Sequence, residues 1–394
     1  MTSNRSLMRM HPPRQQHHLK LLLKPLRRLR VAGLTAAALA ACTKTAPQPA
    51  ASTGATGAAG AAGTARVSSP LLPGPKPLPA PPQLLGLLGE YDAPAGMRVV
   101  LEAGGALRIA DTVGNSLALT PRSHDEFAAD RALIERALGV ASDRITFVRG
   151  ADDRATELVV ADRKLARRNI EPAPGTNQLR VTPVRPVAEL RTEALAASPP
   201  PEKGNFHPAE LVELTRLDPT IRLEIRYATT NNFLGTKFYD EARAFMQRPA
   251  AEAVVRANQS LRPLGYGLLI HDAYRPWYVT KMFWDGTPLD RRWLVANPAE
   301  GSKHNRGAAV DLTLFDLATG KPVPMTSTYD ESTDRAHADY PGGTSLQRWH
   351  RALLRRAMEA QGFAVIPTEW WHFDYSNWRD YAIGNVPFDK IPAK

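Results

Sequence analysis

The chain has 394 residues, which is more than one ordinary domain and enough for two. Hydrophobic residues make up 43% and charged residues 23%, as in globular proteins, and no apolar run reaches the roughly 20 residues of a membrane-spanning helix. The formal net charge is +11, but residues 1–41 carry eight basic side chains and no acidic one, which leaves +3 for the rest. So small an excess excludes an extended nucleic-acid-binding surface.

The first 41 residues have the order of an export signal. A basic stretch ends at Arg30, an apolar stretch follows, and Leu39-Ala40-Ala41 precedes Cys42, the only cysteine. This pattern resembles the lipobox of bacterial lipoproteins, whose cysteine is lipidated; the alternative is an unpaired cysteine in a signal peptide cut elsewhere. We expect a lipid-anchored protein on the periplasmic side of the cell envelope, and Thr43, in place of a retention aspartate, favours the outer membrane.

Composition divides the next part of the chain into a tether and a module. Residues 42–84 are rich in Ala, Gly and Pro, which predicts a disordered tether. Residues 85–185 contain short runs of alternating polarity separated by glycine-rich turns, which predicts a small, mostly β module with one short helix near Asp130–Leu138. Its function is either that of a spacer, which we favour, or of a wall-binding surface. Residues 186–202 are predicted to form a Pro-rich linker.

Residues 203–394 carry nearly all the aromatic side chains and a mixed order of helix and strand patterns. Alternating or continuously apolar runs predict strands, and 3.6-residue periodicity predicts helices. Strands are expected at Ile221–Ile225, Leu268–Ile270, Ala308–Leu314 and Phe363–Ile366, and helices at Ala250–Leu261 and, with Ser345 as the N-cap, at Ser345–Gln361. The order predicts an α+β fold with a central antiparallel sheet flanked by helices.

Five polar residues of this region match the parts of a hydrolytic zinc site. Such a site needs three N or O ligands, a carboxylate that takes a proton from water, and a positive group facing the oxyanion. His304, Asp311 and His372 fit the ligands, Glu369 fits the base, and Arg275 fits the positive group. Each residue alone has an ordinary explanation in the core or on the surface. Together, His-x6-Asp followed downstream by Glu-x-x-His is a fairly specific pattern.

The spacing of Glu369 and His372 sets a geometric condition. Residues three apart on a regular strand point to opposite faces of the sheet. Both can therefore serve one site only if Glu369 lies on an irregular approach to the strand, after Pro367.

Several segments resemble one family of enzymes. Ser302–Asp311 and Glu369–His372 resemble the paired signatures of zinc D-Ala-D-Ala peptidases. Tyr227-Ala228-Thr229 and Asp272–Pro276 are similar to segments of the D-alanyl-D-alanine dipeptidases, and the resemblance covers about 210–376. It does not cover the tether or the β module.

The resemblance implies a role for each matching position. His304, Asp311 and His372 would bind one zinc ion, Glu369 would be the general base, and Arg275 would stabilise the transition state. The substrate-binding positions that the resemblance implies are Asp330 for the free amino group, Ser302 for the carboxylate, Asp272 for orienting Arg275, and Tyr227 and Phe233 beside them.

The chain departs from the family pattern in two loops, and three functions remain open. Tyr329 stands where Phe is expected, no glycine follows Met325, and Gly342-Gly343 is unusual, which puts the substrate size in question. The first function is hydrolysis of free D-Ala-D-Ala, which Asp330 and the doubled tryptophan Trp370-Trp371 favour. The second is a D,D-carboxypeptidase acting on peptidoglycan stem peptides. The third, a non-catalytic wall-binding lipoprotein, conflicts with the intact set of five residues.

Overall fold

A computed structural model describes residues 69–112, 114–169 and 180–392 of the chain. Cys42, the leader and the first part of the predicted tether therefore lie outside the described residues. In these three ranges, no helix combines the length and the apolar character that crossing a bilayer requires.

The predicted β module consists of two antiparallel sheets and two short helices. One sheet has the strand order β1-β2-β3-β4 and the other β5-β6-β7-β8-β9. The elements are α1 (Pro82–Leu85), β1 (Gly89–Ala93), β2 (Gly96–Ala103), β3 (Ala106–Ala110), β4 (Ser116–Ala118), β5 (Thr120–Pro121), β6 (Glu126–Ala128), α2 (Arg131–Leu138), β7 (Arg144–Arg149), β8 (Ala155–Val160) and β9 (Arg163–Ala166). The small, mostly β region that the alternating pattern predicts is thus confirmed.

The helix α2 begins and ends where its sequence predicts. The side chain of Asp130 accepts a hydrogen bond from the backbone N–H of Leu133, which satisfies a free donor of the first turn. Gly139 follows with φ 74°, a left-handed conformation that glycine adopts without steric cost.

The β module has a hydrophobic core of its own. Its aromatic centre consists of Tyr91, Phe127 and Phe147, and the ring of Phe147 meets the other two edge-on at 6.0 and 5.6 Å between centroids. Along β7, Ile145 and Phe147 are buried whereas Val148 is exposed, as expected for a strand with one face on the core.

The second region forms the α+β fold that the sequence predicts. Its main sheet has the order β11-β13-β14-β16-β15, in which β11 runs parallel to β13 and the other neighbours are antiparallel. The elements are α3 (Val187–Ala196), β10 (Leu211–Glu213), α4 (Leu214–Leu217), β11 (Arg222–Leu223), β12 (Phe245–Gln247), α5 (Arg248–Leu261), β13 (Tyr266–Asp272), α6 (Trp277–Gly286), β14 (Ala309–Asp316), α7 (Ser345–Glu359), β15 (Phe363–Ile366) and β16 (Glu369–Tyr375). Strands β10 and β12 pair separately.

Helices cover the main sheet, so its central strands β13, β14 and β16 are buried along almost their whole length. Every residue of β13 is buried. Helix α5 buries Ala250, Val254, Ala257 and Leu261, which are three or four positions apart and lie on one face. The strands therefore carry the metal-site residues on a rigid support.

The start of α7 differs from the sequence-based assignment. The N-cap is Thr344 and not Ser345, because the Thr344 hydroxyl accepts from the backbone N–H of Gln347, and the Gln347 side chain accepts from the backbone N–H of Thr344. This reciprocal pair is a capping box. The hydroxyl of Ser345 instead faces Glu102 of the β module.

Two segments that composition predicts as flexible contain ordered structure. Within residues 69–84, the carbonyls of Leu72 and Gly74 accept hydrogen bonds from Arg356 and from the indole N–H of Trp349. Within residues 186–202, α3 buries Leu190 and Ala194 against the second region. A few apolar residues suffice for such packing, and average composition does not reveal them.

Candidate metal centre

Two neighbouring strands and one short turn place three ligand-type side chains together. Asp311 lies on β14 and His372 on β16, and the two residues are direct partners in the antiparallel pairing. His304 belongs to a 3-10 turn that ends at Gly307, just before β14. Gly307 has φ 67°, and a Cβ atom there would lie 2.7 Å from the Leu211 side chain, so the turn requires glycine.

The distances between the three donor atoms suit one small metal ion. His304 Nε2 lies 3.1 Å from His372 Nδ1, and Asp311 Oδ1 lies 2.9 Å from His372 Nδ1 and 3.4 Å from His304 Nε2. Two ligands at about 2.1 Å from a tetrahedral ion are about 3.4 Å apart. The three side chains are buried and are the set among the described residues whose spacing allows a shared metal ion.

Hydrogen bonds outside the site orient each histidine. His304 Nδ1 lies 2.7 Å from the carbonyl oxygen of Ala273, so this nitrogen carries the proton and Nε2 presents its lone pair to the site. His372 Nε2 lies 2.9 Å from the carboxylate of Asp374, which leaves Nδ1 facing the site. Asp374 is in turn paired with Lys303. Such outer partners fix the ring orientation of metal-binding histidines.

Asp311 is held as a carboxylate with one oxygen towards the site. The Tyr329 hydroxyl donates to Asp311 Oδ2 at 2.9 Å, which leaves Oδ1 beside the two histidines. Burial alone would raise the pKa of Asp311, but the charges and hydrogen bonds of His304 and His372 hold it well below its usual range. A deprotonated aspartate is the form that binds a metal ion.

Without a metal ion, the site binds a proton strongly. Burial lowers the pKa of His372, but the hydrogen bonds from its ring to Asp311 and Asp374 outweigh burial and raise this pKa to about 10. A metal ion must therefore replace a proton at His372 when it binds near neutral pH.

Glu369 reaches the same site because its strand is irregular. Val365 pairs with Phe373, whereas the next residue, Ile366, pairs with Glu369, so β16 bulges between the two pairs. The Glu369 carboxylate consequently lies 3.8 Å from His372 Nδ1. Although 37% of its side chain is exposed, desolvation of the carboxylate raises the pKa of Glu369. The geometric condition set by the three-residue spacing is therefore met.

Arg275 is fixed as a permanent positive charge near the metal centre. Its Nε and Nη2 atoms lie 2.9 and 2.8 Å from Asp272 Oδ2, and Tyr239 donates to the other oxygen of Asp272 at 2.7 Å. Burial would lower the pKa of Arg275, but the Asp272 charge raises it well above its usual value. The backbone N–H of Arg275 also donates to the carbonyl of His304.

Asp330 joins the metal centre through two tyrosine hydroxyls. The Tyr227 hydroxyl donates to Asp330 Oδ2 at 2.9 Å, and the hydroxyls of Tyr227 and Tyr329 are 3.4 Å apart. Burial, together with the charge of Asp311, raises the pKa of Asp330 to about 8. The ring of Tyr227 lies 5.2 Å from the guanidinium carbon of Arg275.

The remaining substrate-binding predictions fall in two places. Ser302 lies beside the site, where its hydroxyl accepts from the backbone N–H of His304 at 3.2 Å. Phe233 packs edge-on against Tyr227 and Phe283, so it supports the tyrosine from behind. The structure thus brings the five proposed metal-site residues together with Asp330, Asp272 and Tyr227, and places Phe233 in the supporting aromatic layer.

Three residues that support the site were not predicted from the sequence. Asp374, Tyr329 and Tyr239 hold His372, Asp311 and Asp272, respectively. Asp374 had a usable signal, because residues two apart on a strand share a face and it follows His372 by two. The tyrosines are distant in the chain from the groups that they bind, and no local pattern indicates those pairs.

The donor set, the outer hydrogen bonds and the adjoining Glu369 and Arg275 define a site for one divalent metal ion with the parts of a metallopeptidase. The family model described as D-ala-D-ala dipeptidase, of the M15 peptidases, matches residues 207–384. The chain is 34% identical to the D-alanyl-D-alanine dipeptidase of Escherichia coli (strain K12) over 174 residues, which are 44% of this chain and 89% of the relative. The chain belongs to the D-alanyl-D-alanine dipeptidase family.

Other relatives cover the same part of the chain. The D-alanyl-D-alanine dipeptidase of Enterococcus faecium is 34% identical over 192 residues, covering 44% of this chain and 93% of the relative. That of Streptomyces coelicolor is 33% identical over 171 residues, covering 39% and 85%. The family that the sequence resembles is therefore confirmed.

Proposed function

We propose that this chain hydrolyses free D-alanyl-D-alanine to two molecules of D-alanine, with one zinc ion held by His304, Asp311 and His372. The observation that carries the proposal is the convergence of these ligands with Glu369 and Arg275 in one site. The ligand types support zinc, because imidazole nitrogen and carboxylate oxygen at tetrahedral spacing are its usual donors when no cysteine is present.

The protein side chains supply the proton transfers and the charge. A zinc ion in this site would polarise the scissile carbonyl and lower the pKa of water. The Glu369 carboxylate accepts a proton from the attacking water and passes it to the amine that leaves. Arg275, held by Asp272, donates hydrogen bonds to the oxygen on which negative charge develops.

The half-buried Asp330 favours the free dipeptide over a longer stem peptide. An ammonium group beside Asp330 would supply the opposite charge that this desolvated carboxylate lacks, and so stabilise its ionised form. A peptide with a blocked amino end cannot form this pair. Asp330 therefore provides a physical basis for selecting a substrate by its free amino group.

One assay tests the proposal and separates it from its alternatives. The full chain, loaded with zinc, would be given D-Ala-D-Ala and, separately, an N-acylated peptide that ends in D-Ala-D-Ala, and D-alanine release would be measured. We expect release from the free dipeptide and little from the blocked peptide. Release mainly from the blocked peptide would indicate a carboxypeptidase, and release from neither would refute the peptidase function.

Asp330→Asn sharpens this assay. The variant should bind the free dipeptide less tightly, because the amide offers no negative charge to the ammonium group. Turnover of the blocked peptide should not change. Thr319→Ala, on a turn away from the site, serves as a control.

We also infer that the chain is exported and anchored through a lipid on Cys42. The support is the order of basic stretch, apolar stretch and single cysteine in residues 1–42. Expression with radiolabelled palmitate should label the wild-type chain in the membrane fraction. Cys42→Ser should abolish the label and release the protein from that fraction.

A further inference from the structure

One segment links the metal centre to the β module. Residues 329–344, here called the substrate loop, begin with Tyr329 and Asp330 beside the metal centre and end with Thr344, the N-cap of α7. Asp330 has φ 59°, a left-handed conformation that few residues other than glycine, asparagine and aspartate adopt. Its position therefore depends on what holds the loop.

Glu102, at the end of β2, holds the far end of the loop. Only 1% of Glu102 is exposed. Its carboxylate accepts from the backbone N–H of Ser345 at 2.7 Å and from that of Gly105 at 2.6 Å. Its own backbone N–H donates to the carbonyl of Gly343 at 3.1 Å. A buried carboxylate without these donors would be strongly destabilising, so the contact is specific.

Arg348 of α7 forms hydrogen bonds with both the β module and the substrate loop at the same point. Its Nη2 donates to the Glu102 carbonyl at 2.7 Å, and its Nη1 donates to the Gly343 carbonyl at 2.9 Å. The adjacent Gly342 allows the backbone to pass close to Tyr340, because a Cβ atom there would lie 2.3 Å from the ring of Tyr340. The unusual glycine pair thus belongs to the junction between the loop and the β module.

Glu90, on β1, provides a second contact. It is 3% exposed; burial raises the pKa of its carboxylate, and the nearby hydroxyl of Tyr340 in the substrate loop opposes that rise. Arg351 continues the connection, since it donates to the Tyr340 carbonyl at 2.8 Å and to the hydroxyl of Thr326 at 3.1 Å.

The loop itself is stiff enough to transmit these attachments to Asp330. The neighbouring Glu331 is buried, forms an ion pair with Arg335 at 3.0 Å and accepts from the hydroxyl of Thr333 at 2.6 Å. The backbone N–H of Ala338 donates to the carbonyl of Pro367, just before β16. Displacing the attached end of the loop would therefore disturb the whole segment.

We propose that the β module supports the substrate loop, and that Glu90 and Glu102 are positioning residues that hold Asp330 where it meets the amino end of the substrate. This inference rests on the proposed function for its catalytic consequence only. The module then acts on substrate affinity and not on the metal ion, which other residues hold.

Glu102→Gln is the main test, because an amide keeps the shape but turns an N–H donor towards one of the two backbone N–H groups. The KM for D-Ala-D-Ala should rise about tenfold, since a misplaced binding group weakens the substrate complex. The kcat should stay within about twofold and the zinc content should not change. Glu157→Gln, the same change on β8, where Glu157 is bonded to Lys164, should leave KM unchanged.

Hydrogen exchange gives a readout that needs no activity. In Glu102→Gln, amides of residues 329–344 should exchange about tenfold faster than in Glu157→Gln, because the supported segment opens more often. Exchange at equal rates would overturn the inference, as would an unchanged KM in an active enzyme. If the wild-type chain did not cleave the dipeptide, the proposed function would fail. Hydrogen exchange would still show whether the β module supports the substrate loop.

Tyr340→Phe provides an independent variant should Glu102→Gln not fold. It removes the hydroxyl that lies near the Glu90 carboxylate and changes no charge at neutral pH. We expect a several-fold higher KM and faster exchange at the same amides, with kcat and zinc content unchanged. Unchanged exchange and unchanged KM together would contradict the proposal.

Discussion

Carboxylates that lie wholly or partly out of solvent occur in both regions of the described chain, and their surroundings give them different roles. In the second region, Asp311, Asp330 and Glu369 converge on one place, where the charge of Asp311 helps to raise the pKa of each of the other two. In the β module, the carboxylate of Glu102 accepts from backbone N–H groups, and that of Glu90 lies near a tyrosine hydroxyl. Carboxylates that lie close together are suited to bind a metal ion and transfer protons. Carboxylates that meet only neutral hydrogen-bond donors instead stabilise the structure.

The aromatic clusters of the two regions differ in the same way. Tyr91, Phe127 and Phe147 pack edge-on and form the centre of an apolar core. In the second region, by contrast, Tyr227 and Tyr329 pack in an aromatic cluster while their hydroxyls bind Asp330 and Asp311. Aromatic packing there also positions the polar groups of a site.

The largest effect is expected from Glu369→Ala, which tests whether the carboxylates of the metal centre take part in catalysis. Turnover should fall about 10³-fold, because the variant lacks the carboxylate that takes the proton from water. Bound zinc, measured by plasma mass spectrometry, should stay at one ion per chain. His372→Ala should instead lose the metal, and full activity of Glu369→Ala would show that the mechanism is wrong.

Asp374→Asn should produce the next largest effect. Removing the charge that holds Nε2 of His372 should weaken zinc binding about 10- to 100-fold, as measured by competition with a chromophoric chelator. Asp389→Asn, an exposed change of the same kind, is the control. Equal zinc affinities in the two variants would exclude a role for Asp374 in orienting the histidine.

Zinc affinity should depend on pH with a defined sign. The pKa of His372 is about 10 in the metal-free chain, so between pH 6 and 9 the proton must leave before zinc can bind. The affinity should therefore rise about tenfold for each pH unit in this range. Calorimetry in buffers of different ionisation enthalpy should detect one proton released per zinc ion; no release would contradict the proton-bound site.

The smallest effect is expected in the β module, away from the loop contacts. Asp125 accepts from Arg149 at 2.8 Å, and about a third of its side chain is exposed. Asp125→Asn should lower the free energy of unfolding by about 0.5 to 1 kcal/mol, as calorimetry would show. Dipeptide turnover should not change; a large loss of activity would mean that the module acts through more than Glu90 and Glu102.

Local patterns predicted most of the regular structure. The helices α2 and α5 and the strands β7, β13 and β14 follow from spacing and capping signals within a few residues. Helix α3 and the ordered part of residues 69–84 escaped prediction, because their few apolar side chains are stabilised by distant partners. The choice of Thr344 over Ser345 as N-cap was likewise open, since both hydroxyls can cap a helix.

The sequence by itself determined the ligand types and their chemistry, because His304, Asp311, His372, Glu369 and Arg275 stand in two short motifs and one turn whose spacing is specific. Only the tertiary structure decided how they act together. The bulge of β16 brings Glu369 to the ligands, and Ala273 and Asp374 select the ring nitrogens that face the site. The tertiary structure also decided the contact of the substrate loop with Glu102. Most of these relations join atoms far apart in the chain, and packing alone brings such atoms together.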